Sequence, residues 1–142
     1  LKSLEEVTGD VVICNDKVQW FEAEKLTAIG GSLVMRSAAL TSVTTPSLAT
    51  IGGDFELQGS NEDKAGGDMT IVEMKALGSV GGKITVKNLA KLNAVKFEAL
   101  TSAGAVLLPT IPYEFETISL PVLSEVGGDI QFIANTDDTA IV

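Results

Sequence analysis

Leu48-Ala49-Thr50-Ile51-Gly52-Gly53-Asp54-Phe55-Glu56-Leu57 carries a skeleton, Leu-x-x-(Ile/Val)-Gly-Gly-x-apolar-x-apolar, that returns along the whole chain of 142 residues. With the leading leucine at position zero, it falls at Leu4, Leu26, Leu48, Leu77, Leu100 and Leu123, at spacings of 22, 22, 29, 23 and 23. Position +3 is Val7, Ile29, Ile51, Val80, Ala103 and Val126. Positions +7 and +9 pair as Val11/Ile13, Leu33/Met35, Phe55/Leu57, Ile84/Val86, Leu107/Pro109 and Ile130/Phe132. The half-repeat before the leucine is as regular: −5 is Phe21, Val43, Val72, Val95 and Ile118, and −3 is Leu1, Ala23, Thr45, Met74, Phe97 and Leu120.

Internal repetition of this kind decides the architecture. The +6 to +10 segment alternates apolar and polar residues, the pattern of a strand with one buried face. The glycine pair before it reads as a sharp corner, because glycine accepts positive φ. No stretch keeps helical spacing over three turns. The repeat is therefore expected to be one coil of an all-β solenoid, with equivalent strands of successive coils paired in parallel. Six coils of 22–23 residues at about 4.8 Å each would make a prism roughly 29 Å long, a single domain spanning 1–142.

Two places break the repeat. The 29-residue step carries six or seven extra residues between Leu57 and Met69, expected as a polar loop over Gln58–Asp68. The fifth coil reads Ala103-Gly104-Ala105-Val106-Leu107-Leu108-Pro109, apolar on both faces and with a proline at the inward +9 position. A proline cannot donate to a ladder, so the strand is expected to shorten or bend there. Both ends cut a coil in mid-repeat, at Leu1 and after Asn135. The domain is therefore expected to be part of a longer protein, with any targeting segment outside this sequence, or to associate end to end through uncapped coils.

The pairing of Leu40-Thr41-Ser42-Val43 with Pro46-Ser47-Leu48-Ala49-Thr50-Ile51-Gly52-Gly53-Asp54 resembles the receptor L-domain branch of the leucine-rich-repeat proteins, and leucine-rich-repeat surface proteins of bacteria. The likeness covers essentially the whole chain. It implies a short right-handed parallel β-helix and a role in extracellular ligand recognition or adhesion, at the cell surface or in the bacterial envelope. The cysteines that commonly accompany the receptor versions are missing, so a growth-factor-receptor role is not supported.

Composition narrows the chemistry. Hydrophobic residues make up 45% of the chain, yet no run approaches the roughly 18 apolar residues of a membrane span. A net charge of −9, with seven acids and no base from Phe97 to Val142, disfavours a nucleic-acid partner. The single cysteine, Cys14, excludes an internal disulfide, and with no histidine in the chain it reads as an inert thiol. The missing histidine also removes the commonest general base and metal ligand. Gly-Gly-Asp at Gly52, Gly66 and Gly127 reads as a corner with a solvated acid rather than a phosphate or metal site. Asn61-Glu62-Asp63 and Asp137-Asp138 lack calcium-loop spacing, so no metal or other cofactor is expected. Trp20 either covers a corner beside inward Phe21 or stacks a carbohydrate.

Binding is expected on the outward face of the main sheet and on the loop beside it. The candidates are Glu56, Gln58, Thr85 and Lys87 on the strands, with Asn61, Glu62, Asp63 and Lys64 on the loop. Val106, Leu108 and Ile133 are expected as neighbours in an exposed apolar patch for a partner. The leading expectation is a non-enzymatic module that binds a protein or glycan ligand. A structural unit stacking end to end is the first alternative, and a β-helix enzyme that cleaves polysaccharides with paired carboxylates the second.

Overall fold

The computed structural model describes residues 1–60, 68–110 and 117–134, all of them strand, turn or irregular chain. The first coil holds β1 (Glu6–Val7), β2 (Val11–Cys14) and β3 (Trp20–Glu22). The second repeats them as β4 (Ala28–Ile29), β5 (Leu33–Arg36) and β6 (Ser42–Thr44). The third gives β7 (Thr50–Ile51), β8 (Phe55–Gln58) and β9 (Ile71–Glu73). In the fourth the first two strands fuse into β10 (Ser79–Lys87), followed by β11 (Ala94–Lys96). The fifth likewise has β12 (Ser102–Thr110) and β13 (Thr117–Ser119), and the sixth β14 (Glu125–Val126) and β15 (Ile130–Ala134). The described residues contain no helix, hence none long and apolar enough to cross a membrane.

Every strand pairs in parallel with its counterpart one coil away, so the chain is a β-solenoid whose six rungs bound five turns. The register follows the leucine spacing: Val11 pairs with Leu33, Leu33 with Phe55, and Phe55 with Ile84. The core is the stack of inward columns. Leu26, Leu48, Leu77 and Leu100 are fully buried, as are Leu33, Phe55 and Ile84. At mid-stack Phe55 meets Phe97 edge to face, with ring centroids 6.1 Å apart and planes at 89°, a favoured aromatic geometry.

The glycine corners work differently from the sequence expectation. None of Gly30, Gly31, Gly52, Gly53, Gly81 and Gly82 has the positive φ that the turn reading required. Their role is close approach between coils. The N–H of Gly52 donates to the carbonyl of Ile29 at 2.8 Å, and a Cβ on Gly52 would overlap the carbonyl oxygen of Gly30 directly beneath it. Gly30 stands the same way over Thr8, and Gly81 over Gly52. The residue after each pair completes the corner. Asp10 Oδ1 accepts the Ser32 N–H at 2.7 Å, Ser32 Oγ the Asp54 N–H at 2.9 Å, and Asp54 Oδ1 the Lys83 N–H at 2.8 Å. The Asp/Ser column is thus a hydrogen-bonded spine, which satisfies backbone donors at a bend where no ladder can. Positive φ occurs instead at the next corner, at Asn88 (φ 59°), a residue type that tolerates the left-handed region.

The fifth coil corrects the expected register. Ser102 and Ala103 align with Ser79 and Val80, but Ala105 aligns with Lys83, because Gly104 alone spans what Gly81-Gly82 span below. After that one-residue loss every side chain changes face. Val106 and Leu108 therefore point inward and are buried, at 1 and 0% exposure. The apolar patch expected from Val106, Leu108 and Ile133 does not form: two of its members are core, and the outward column continues instead as Thr85, Leu107 and Gln131. Pro109 does not end its strand either. The ladder to β10 stops at Leu107, but toward β15 it runs on through Pro109 and Thr110.

Candidate functional site

The outward face of the main sheet brings four of the expected residues together. Thr85 stands beside Glu56 and Lys87 beside Gln58, across the β8–β10 ladder. Glu56 is already engaged by its neighbours. Arg36 Nε and Nη2 donate to the two carboxylate oxygens of Glu56 at 3.0 and 3.1 Å, and the Gln58 amide donates to Glu56 as well. Gln58 is buried, at 7% exposure. Burial alone would raise the Glu56 carboxyl above its ordinary value. The hydrogen bonds from Arg36 and Gln58, with the charges of Arg36 and Lys87, outweigh that and hold it below. The pair reads as a cross-strand clamp.

That clamp has a pH signature. A carboxyl with a lowered folded-state pKa stabilises the fold above its unfolded value and loses the contribution as pH falls through the folded value. The melting-temperature gap between the native chain and Glu56→Gln should be constant above about pH 5.5 and close progressively below about pH 4.3. For a bidentate, partly exposed pair the gap corresponds to about 0.5–1 kcal/mol. A gap unchanged down to pH 3 would show that the carboxylate charge contributes nothing.

The loop candidates Asn61, Glu62, Asp63 and Lys64 lie outside the described residues, as do the expected Asp137-Asp138 cluster and the side chain of Ile133. Among the described residues, no three of His, Cys, Asp or Glu come together as a metal site would need. Cys14 is a free, exposed thiol.

What the sequence reading missed is on the third face. There the sheet is split: β3 pairs with β6, and β9 with β11, which pairs in turn with β13, but no ladder joins β6 to β9. The long step of the third coil falls between β8 and β9, so β9 re-enters the stack without the register that ties its neighbours. Backbone alternation then leaves polar groups aimed into the gap. The Thr44 carbonyl accepts from Ala23 on the β3 side, while Thr70 and Met74 bond toward β11. The N–H and C=O groups of Val43, Ile71 and Glu73 consequently face the opening.

The opening is a cleft of about 300 Å³. Val43, Pro46 and Ile71 supply its apolar lining, Thr41, Ser42, Thr44 and Thr45 its hydroxyls, and Glu73 and Lys75 its charges. It reaches toward the core, since Val43 is only half-buried where Phe21, Val72 and Val95 of the same column are buried. One end is closed: the buried Thr45 hydroxyl donates to Met74 Sδ at 3.5 Å, holding the two strands together there. On the outward surface Trp20 is in register with Ser42, and Trp20 and Ile71 are 58 and 41% exposed. Trp20 thus stands on a strand face rather than over a corner, while Phe21 beside it is inward as expected. The visible warning was the 29-residue step between Val43 and Val72, which follows a step of 22 from Phe21 to Val43. Comparison of the chain with protein-family models, with curated proteins and with solved structures finds no match.

Proposed function

We propose that this chain is a non-enzymatic ligand-binding or adhesion module of a cell-surface protein, with the cleft between β6 and β9 as its binding site. One observation carries the reading. The cleft combines exposed hydroxyls, apolar surface and backbone groups outside any ladder, whereas the main face couples its acid to Arg36 and Gln58. Concave surface with a few convergent polar groups is the usual form of a ligand site.

Hydrolysis of a polysaccharide by acid and base needs two carboxyl groups within about 5–10 Å. Among the described residues, Glu73 is the one carboxylate lining the cleft, which favours binding over catalysis. The acidic balance of the chain favours a partner other than nucleic acid. Placement at the cell surface rests on the likeness of the repeat to surface leucine-rich-repeat proteins.

The test is obstruction. Ser42 and Thr44 are exposed and outward on β6, so an arginine at either place should leave stability within about 0.5 kcal/mol. Ser42→Arg or Thr44→Arg should weaken the strongest ligand found on combined glycan and peptide arrays at least tenfold, with unchanged thermal melting. Undiminished binding by both variants would remove the cleft as the site.

A further inference from the structure

We infer that the cleft takes a neutral pyranose sugar that reaches across β6 to Trp20 as its platform; the inference rests on the binding-site reading above. Four features converge. The first is Trp20, 58% exposed on the outward face and across the ladder from Ser42, which places their Cβ atoms about 5 Å apart. An indole ring open to solvent offers a flat apolar surface to the C–H face of a six-membered ring and an N–H donor at its edge. A second hollow of about 260 Å³ is formed by Lys17, Val18, Gln19 and Trp20 itself, on the β3 side of β6.

The second feature is the mixture of donors and acceptors. Each sugar hydroxyl both donates and accepts. The cleft presents hydroxyls from Ser42 and Thr44, which do the same, and the N–H and C=O groups of Val43, Ile71 and Glu73 described above; the Thr41 hydroxyl donates to the Gln19 carbonyl at 2.9 Å and keeps only its acceptor capacity. The third is charge. Glu73 and Lys75 line the same cleft with opposite signs in a chain of net charge −9, an environment that does not draw an anionic ligand. The fourth is size. A volume of about 300 Å³ lies at the low end for ligand pockets and suits one or two sugar rings.

The competing occupant is an extended peptide completing the split sheet. A strand inserted between β6 and β9 needs about 9.6 Å between them, twice the spacing of paired strands. Residues of β6 and β9 approach within 8 Å, Cα to Cα, which is too close for that. A compact ligand resting on the outer surface needs no such separation.

Trp20 is the only tryptophan of the chain, so its emission reports on the site directly. Titration with neutral gluco-, manno- and N-acetylglucosamine oligosaccharides should change that emission saturably for at least one series. By calorimetry, Trp20→Ala should weaken that sugar tenfold or more, Trp20→Phe should stay within about threefold, and neither should alter melting. A uronic-acid or sulfated oligosaccharide of equal length should bind at least tenfold more weakly. Sugar binding indifferent to Trp20→Ala, or equal for the anionic sugar, would overturn the inference. If no sugar binds while an extended peptide does, and Thr44→Arg blocks it, the sugar inference fails and the binding-site reading stands. If neither class binds, both fail.

Discussion

Gly52→Ala should lower the melting temperature by about 10 °C, while Gly9→Ala should leave it unchanged or slightly raised. Both are corner glycines, two coils apart, Gly9 at the second position of the pair and Gly52 at the first, and neither has a positive φ. Backbone strain is therefore common to neither substitution. What differs is the coil beneath. A methyl on Gly52 would overlap the carbonyl oxygen of Gly30, a backbone atom; a methyl on Gly9 meets nothing within 4 Å. Overpacking against side chains costs about 1–3 kcal/mol because they can shift. Here the obstruction is backbone, fixed by the bond from Gly52 N–H to the Ile29 carbonyl on one side and by Gly81 stacked above on the other. We therefore expect a cost near the top of that range, about 3 kcal/mol. Thermal denaturation followed by circular dichroism measures it, and equal melting points for the two variants would show that the corner can open at no cost.

This corner shows how sequence and structure divide the account. The repeated glycine pair was visible at once and so was its geometric purpose, but the reason was not. A glycine needed for positive φ and one needed for close approach look the same in a sequence, because both only require the absence of a Cβ. The inter-coil contact that separates them exists only once the coils are stacked. The columns at +7 and +9 suffered no such ambiguity in the first four coils: Leu33, Phe55 and Ile84 alternate with polar or smaller outward neighbours, and the buried face follows.

The cleft was hidden for a different reason. Val43 and Val72 occupy the same column and have the same residue type, so the sequence gives them equal standing. Whether β6 and β9 pair depends on how the chain returns from the long step, a tertiary outcome with no local marker. The inserted residues are what the sequence displays, whereas the structural consequence of the insertion is a sheet split beside it. Trp20 was recognised as a residue of two possible roles. Its register with Ser42 places it one strand away from that split, across β6.

The fifth coil gives the most demanding test of register, because two adjacent leucines exchange roles. Leu108→Asp should leave the chain largely unfolded at 25 °C, and Leu107→Asp should cost no more than about 1 kcal/mol. Leu108 is fully buried and pairs across the ladder with Phe132, while Leu107 sits partly exposed in the outward column between Thr85 and Gln131. An aspartate at 108 would lose the buried leucine, at about 2–5 kcal/mol, and place a carboxyl in an apolar stack without a partner, at roughly 1–3 kcal/mol more. Together these rival the whole stability of an ordinary domain, about 5–15 kcal/mol. Spacing from leucine to leucine predicts the reverse, with Leu107 inward, because the step from Leu77 to Leu100 equals that from Leu100 to Leu123 at 23 residues. The equality conceals a compensated slip. Ile84 to Val106 is one residue short, and Val106 to Ile130 is one residue long, as the second glycine returns at Gly127-Gly128. Urea denaturation of the two variants separates the registers without a ligand or an assay of function. If Leu107→Asp is the one that unfolds, Gly104 does not do the work of two residues and the inward assignment of Val106 and Leu108 falls with it.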